Sequence, residues 1–179
     1  MLKACGGAVV CAALLALVQV RPALADDGAA TRRKVESYLQ LARDYKAEGN
    51  WDKAELNLLE ALKLDAKNVK ALTDLAWIYN ETRKYKLAET SALAALLVDD
   101  DHAEAWREMG FALLKQEKYS DAEKALWIAT TLNAKDPSAF SYLAEVKDAL
   151  GKTDEASEAR QKAKDLRESA FKRVNDDLN

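Results

Sequence analysis

A 34-residue period runs through most of the chain and constrains its fold more than any other feature. Read in register, the sequence divides into four segments, which begin at Val35, Val69, Ala103 and Pro137. Two columns of the register hold alanine in every segment. The first comprises Ala54, Ala88, Ala122 and Ala156, and the second comprises Ala61, Ala95, Ala129 and Ala163. So regular a repeat predicts stacked copies of one supersecondary unit.

Each segment has the apolar spacing of two α-helices. In the first segment two stripes of residues, three or four positions apart, flank a turn at Gly49 and Asn50. The stripes, which we expect to be buried, are Tyr38, Leu41, Ala42 and Tyr45, and then Trp51, Ala54, Leu58, Ala61 and Leu62. A further column holds only small residues, which lets the paired helices cross closely. Its members are Ala42, Ala76, Gly110 and Ala144.

These columns resemble the tetratricopeptide repeat, whose 34-residue signature places Trp, Leu, Gly and Tyr on one helix and Ala, a bulky residue and Pro on the next. The third segment shows it as AWREMGFALLKQEKYSDAEKAL, and the resemblance covers residues 35 to about 166. The signature proline is replaced by Ala66, Asp100 and Ala134, and the fourth segment has Lys147 and Thr153 at aromatic positions. The resemblance implies an all-α, right-handed superhelical solenoid of about four helix-turn-helix repeats with a C-terminal capping helix.

The first 25 residues have the pattern of a secretory signal peptide. Lys3 is followed by an uncharged apolar run that ends at Val20, and Ala23 and Ala25 are the small residues that a signal peptidase requires. The run is shorter than the about 20 apolar residues of a membrane span. We therefore expect cleavage after Ala25, no membrane insertion afterwards, and a periplasmic or secreted protein.

The predicted organisation therefore has seven parts. They are a signal peptide (1–25), an N-terminal lead-in (26–34), three repeats (35–68, 69–102 and 103–136), a divergent fourth repeat (137–170) and a helical cap or tail (171–179).

Composition argues against several functional classes. Both cysteines, Cys5 and Cys11, lie in the signal segment, so the exported chain offers no disulfide, thiolate or Cys-ligated zinc. Without Lys3 and Arg21 it carries 25 basic and 30 acidic side chains, a net charge of −5, which argues against nucleic acid as a partner. No catalytic triad or phosphate-binding loop is recognisable. We expect no enzyme, no cofactor and no metal site.

Two clusters of acidic residues could suggest chemistry but have simpler interpretations. His102 follows three aspartates, at a register position where a helix should begin, and is expected to be a helix start rather than a metal ligand. Carboxylates such as Glu104 and Glu108 alternate with lysines at helical spacing, which predicts a solvated helix face.

The resemblance implies a concave groove, lined by the first helices, that binds another protein or an extended peptide segment. Trp77 and Phe111 share a column in it, and could anchor a partner or complete the packing. Arg43, Lys46 and Arg107 would favour an acidic or carboxylate-bearing segment. The residues expected to line the groove are Leu39, Arg43, Lys46, Thr73, Trp77, Asn80, Arg107, Phe111, Leu114, Ser141, Glu145 and Asp148.

Some assignments stay open at this point. The carboxylate clamp of certain heat-shock co-chaperones is not present, because Leu39 and Arg43 occupy its first columns. Trp127 could face outward or pack under the fourth repeat, with packing slightly favoured. The alternative function is a structural protein that forms a homo-oligomer through its charged C-terminal helix or its convex face.

Overall fold

The computed structural model describes residues 28–177, and this part of the chain folds into eight helices in four antiparallel pairs. The predicted all-α solenoid is confirmed. The helices are α1 (28–47), α2 (Trp51–Leu64), α3 (Val69–Glu81), α4 (Tyr85–Leu96), α5 (Ala103–Lys115), α6 (Tyr119–Leu132), α7 (Pro137–Ala149) and α8 (Thr153–Asp177). The predicted signal peptide lies outside the described residues. Among residues 28–177, no helix is both long and apolar enough to cross a membrane.

Two boundaries refine the predicted organisation. Helix α1 already begins at residue 28, so most of the segment predicted as a lead-in is helical. At the other end, α8 continues without a break through the fourth repeat into the predicted cap. Each of the four pairs otherwise corresponds to one 34-residue segment.

Side chains cap the helix starts that follow the turns between repeats. The Asn68 side chain accepts a hydrogen bond from the Ala71 amide at 3.0 Å, and Asp136 accepts from the Ser138 amide at 2.8 Å. Pro137 stands at the first turn of α7, where its missing N–H costs nothing. His102 occupies the same place before α5 but makes no side-chain capping bond.

The turn within each repeat uses a left-handed backbone conformation at one register position. Gly49, Arg83, Glu117 and Gly151 have φ angles of 72°, 60°, 62° and 75°. Only glycine adopts this region without steric cost, so Arg83 and Glu117 are held there by the flanking helices.

The order of contacts gives the solenoid an inner and an outer surface. Each second helix packs against the first helix of the next repeat, as α2 does on α3 and α4 on α5. The first helices also contact one another, α3 with α5 and α5 with α7. The first helices therefore lie closer together and line the inner groove, and α2, α4 and α6 form the outer surface.

Small residues let the paired helices approach closely at the core. The residues of the first alanine column, from Ala54 to Ala156, are fully buried. At Gly110 a β-carbon would lie 2.5 Å from Leu126 Cγ, which is closer than such atoms approach in proteins. Gly110 belongs to the column of small residues that also holds Ala42, Ala76 and Ala144. The expected role of that column in close helix crossing is therefore visible at Gly110.

One core assignment was wrong. Leu41 was expected on the buried stripe with Leu75 and Met109, yet it is 41% exposed, whereas Leu75 is buried. In the other repeats this position packs against the preceding helix pair. Within the described residues no pair precedes α1, so Leu41 faces outward.

Substitution of Gly110 by alanine tests the close contact. Alanine favours a helix by about 1 kcal/mol over glycine, but overpacking against Leu126 costs about 1–3 kcal/mol. We expect Gly110→Ala to lower the free energy of unfolding in urea by about 1 kcal/mol. In a Leu126→Ala background the same change should raise it, because the clash is gone. An equal effect in both backgrounds would contradict the assigned contact.

Candidate functional site

A polar pocket of about 320 Å³ opens on the inner groove between α3 and α5. It contains four of the predicted groove residues: Lys46 from α1, Thr73 and Trp77 from α3, and Arg107 from α5. The complete lining is Lys46, Lys70, Thr73, Asp74, Trp77, His102, Glu104, Arg107 and Glu108. Because α3 and α5 are parallel first helices of adjacent repeats, residues about 34 positions apart meet across the pocket.

Trp77 both packs and lines the pocket. Its ring meets Trp51 edge-on, with ring centroids 5.4 Å apart. The Lys46 ammonium nitrogen lies 4.3 Å from the centre of the Trp77 ring, a cation–π contact. These contacts fix the ring, and its remaining surface faces the pocket.

The pocket cations are largely neutralised by carboxylates of the same chain. Lys46 donates a hydrogen bond to Asp74 at 2.6 Å. Arg107 donates to Glu108 and to Asp136, each at 2.7 Å. Lys46 and Arg107, which the sequence suggested for an acidic partner, therefore already have internal counterions.

Two other cations keep capacity for a partner. Lys70 lies 3.6 Å from Asp74, beyond hydrogen-bonding distance, and its side chain is more than half exposed. Arg43 is exposed and donates to Gln40 at 2.6 Å. Lys70 lines the polar pocket, and Arg43 stands three residues before Lys46 on α1.

Glu108 is the main feature that the sequence did not reveal. It was expected on a solvated face, yet it is 3% exposed. Its carboxylate accepts hydrogen bonds from Arg107 and from the Asn80 amide, the latter at 2.9 Å. The sequence signal was its own column of the repeat, in which an acidic residue, Asp74, occupies the same position one repeat earlier.

Burial and charge shift the pKa values of this pair. Burial raises the pKa of Glu108, and the hydrogen bonds and charge of Arg107 and Asn80 offset this only in part. Burial alone would lower the pKa of Arg107, but Glu108 and Asp136 outweigh it, so that pKa is raised. Arg107 therefore stays protonated, and Glu108 is the titratable group of the network.

Two buried polar atoms have no partner among the described residues. They are the Thr73 hydroxyl, in a residue 8% exposed that lines the pocket, and the Asn80 side-chain carbonyl. A buried polar group without a partner is costly, so both atoms lower the stability of the folded chain.

Several predicted groove residues lie elsewhere. Leu39 and Leu114 belong to the apolar core between the helices and do not line the pocket. Phe111 packs between two tyrosines, with ring centroids 6.5 Å from Tyr85 and 4.6 Å from Tyr142. The contacts of Phe111 therefore fit the packing interpretation. Trp77, in contrast, both packs against Trp51 and lines the pocket.

The predicted groove residues of the fourth repeat form hydrogen bonds and ion pairs with other side chains of the same chain. Arg167 of α8 donates to the Ser141 hydroxyl at 2.6 Å, and Arg160 pairs with Asp148. Lys115 pairs with Glu145 at 2.7 Å. The C-terminal helix thus contacts the groove side of α7, and Ser141 and Glu145 lie apart from the polar pocket.

Trp127 faces outward. It is 62% exposed on α6, so the favoured packing under the fourth repeat was wrong. Leu59 and Leu93, at the same position of the earlier repeats, are also exposed, so the whole column faces outward.

Removal of the Asn80 amide tests the buried network. Because the pKa of folded Glu108 lies above its usual 4.5, ionised Glu108 costs stability above that folded pKa and costs nothing well below 4.5. We expect Asn80→Ala to lower the free energy of unfolding by about 2 kcal/mol at pH 7, and by less near pH 4, where Glu108 is protonated. Urea unfolding at the two pH values measures this.

Asn57→Ala is the matched control, since its amide donates only to the Lys53 carbonyl on the partly exposed α2 surface. It should change stability little at either pH. A pH-independent loss for Asn80→Ala would show that Asn80 does not support the charged form of Glu108.

Comparison with known proteins gives the same fold. No protein-family sequence model and no curated protein sequence matches the chain. Among solved structures, PilF of Pseudomonas aeruginosa superposes with a TM-score of 0.69 at 27% identity, over 76% of this chain and 63% of PilF. MamA superposes with a TM-score of 0.67 at 20% identity, over 78% of this chain and 81% of MamA.

A third neighbour was solved with a ligand. The first TPR domain of Spaghetti (RPAP3), bound to the HSP90 peptide SRMEEVD, superposes with a TM-score of 0.64 at 21% identity, over 66% of this chain and 94% of that domain. Helix pairs and solved neighbours agree, and the chain has the fold of a tetratricopeptide-repeat solenoid.

Proposed function

We propose that the chain is a non-enzymatic interaction scaffold or assembly chaperone of the periplasm or cell envelope, which binds an extended segment of a partner protein in its inner groove. The observation that carries this proposal is the polar pocket beside Trp77. It combines a fixed aromatic surface with a flanking cation, which together suit a peptide rather than an apolar ligand.

The partner segment has a defined chemistry. Trp77 offers ring surface to an apolar or aliphatic side chain. Lys70 and Arg43 attract an acidic residue, because Lys46 and Arg107 are committed to internal carboxylates. The segment would thus carry one apolar anchor and one acidic residue.

A solved neighbour supports peptide binding in principle. Spaghetti (RPAP3) holds an HSP90 peptide on the same fold. In this chain Leu39 and Arg43 occupy the first columns of the heat-shock clamp, and Leu39 is buried. We therefore propose a different peptide for this groove.

A binding role suits the state of the acids in the pocket. Catalysis by paired carboxylates needs two acids free to exchange protons with a substrate. Asp74 is bound by Lys46, and Glu108 is enclosed by Arg107 and Asn80. These carboxylates are occupied in holding the groove together.

Export is the first testable part of the proposal. The chain with a C-terminal affinity tag, purified from its host, should begin at Asp26 when its intact mass is measured. Ala23→Glu and Ala25→Glu should block processing, because the peptidase requires small residues at these two positions. Leu24→Gln, between them, should be processed normally. An unprocessed wild-type chain would contradict cleavage.

Groove binding is the second part. The tagged chain should capture a partner from its host, and Arg43→Glu with Lys70→Glu should reduce the recovery about tenfold, since each reversed charge in a partner contact costs about 1 kcal/mol or more. Quantitative mass spectrometry of the captured proteins measures the change. Trp77→Ala, confirmed as folded by circular dichroism, should reduce recovery of the same partner.

The control pair is Lys63→Glu with Lys86→Glu, which makes the same charge change on the outer surface. It should retain the partner. Equal loss with both pairs would indicate a non-specific charge effect, and equal retention would exclude the groove as the binding site.

A further inference from the structure

The outer surface exposes an unusual amount of apolar side chain. Leu97, at the end of α4, is 80% exposed, and Trp127 on α6 is 62% exposed. Two columns of the repeat share this exposure: Leu59, Leu93 and Trp127, and Leu64, Val98 and Leu132. Scattered surface leucines are ordinary, but apolar columns that continue over three successive repeats mark an interaction surface.

A cavity of about 470 Å³ opens beside Trp127 on this surface. Its walls are mainly apolar, with Ile128 and Leu143 beside the indole and the stems of lysines at its edge. Its lining is Glu123, Lys124, Trp127, Ile128, Leu143 and Lys147. We call it the Trp127 cavity, and it has room for a branched aliphatic side chain.

The same surface carries a projection that matches this cavity. Leu97 follows the last residue of α4 and stands almost fully in solvent, and after Val98 comes the exposed acidic run Asp99, Asp100 and Asp101. The Trp127 cavity is flanked by Lys124, which pairs with Asp121 at 3.0 Å. Both side chains of this pair are more than half exposed, so an incoming carboxylate can replace Asp121 at little cost. An aliphatic projection next to acidic residues therefore complements an apolar cavity next to an exchangeable lysine.

We propose that the occupant of the Trp127 cavity is Leu97 of a second copy of this chain. A projection and a complementary cavity on one surface satisfy a two-fold dimer, in which each copy inserts Leu97 into the other and the acidic run of each meets Lys124 of the other. The contact closes on itself and gives a discrete dimer. It leaves the inner groove of both copies open.

A second copy fits these features better than other occupants. An anionic membrane surface would be repelled by the three aspartates next to Leu97. The exposed apolar residues near the end of α8, Phe171 and Val174, are separate from the Trp127 cavity in the fold and offer a distinct surface for comparison.

Sedimentation velocity over a range of concentrations tests the dimer, with the chain purified from its host in the form that accumulates there. The wild type should show a concentration-dependent dimer. Leu97→Asp and Trp127→Ser should each raise the dissociation constant about tenfold or more, since each removes an anchor at the centre of the interface. Phe171→Ser, an equally exposed change on α8, should leave the dimer intact.

Cross-linking locates the contact without removing an anchor. Val98 adjoins Leu97, and Lys124 adjoins the Trp127 cavity, so Val98→Cys and Lys124→Cys chains are made in a background with Cys5→Ser and Cys11→Ser. A short bis-maleimide should join the two variants when they are mixed and should join neither variant to itself. This asymmetry locates Leu97 of one copy at the cavity of another, and a sedimentation limit at the dimer distinguishes the two-fold arrangement from an open head-to-tail assembly.

The outcomes are distinct. Loss of the dimer in Leu97→Asp together with the mixed cross-link supports the proposal. A dimer that depends on Phe171 and survives Leu97→Asp would place self-association on α8 and overturn it. A chain that stays monomeric at every concentration would also overturn it, and would leave the outer surface to a different protein.

Discussion

The close crossing of helices at small residues is the constraint on which the rest of the structure depends. A single helix pair cannot bury its own apolar faces, so each pair needs the next one at short distance. Gly110 shows how closely the two helices within one pair cross, since a β-carbon there would meet Leu126 of the same pair at 2.5 Å. Stacking of such compact pairs brings α3 and α5 into contact, so that their polar side chains form one pocket. The inner groove is thus a direct result of core packing.

Polar contacts then bind the repeats to each other across the groove. Asn80 of the second repeat donates to Glu108 of the third, and Arg107 beside it donates to Asp136, which caps the first helix of the fourth. Three repeats are joined by one chain of hydrogen bonds around a buried carboxylate. Loss of any of these bonds would leave the buried Glu108 carboxylate less well compensated, so the network favours one relative position of the helices that carry the pocket.

The sequence predicted the fold well because the fold is periodic. A property shared by four copies, such as a buried alanine column, appears in the sequence as a repeat. Properties of a single copy do not. Glu108 is buried because Arg107 and Asn80 enclose it, whereas Glu104 on the same helix remains exposed. The outward position of Trp127 is shared by Leu59 and Leu93 of the same column, but the apolar character of that column made packing the favoured expectation. The periodic part of the groove could be predicted, and its individual contacts could not.

The two surfaces of the solenoid can act together because they are made by different helices. The polar pocket belongs to α1, α3 and α5, and the apolar columns belong to α2, α4 and α6. Self-association through Leu97 and Trp127 would leave every pocket residue accessible. A dimer would present two grooves, and a partner with two binding segments would gain affinity by binding both. Partner binding should therefore strengthen in the dimer even though no residue is shared between the two sites.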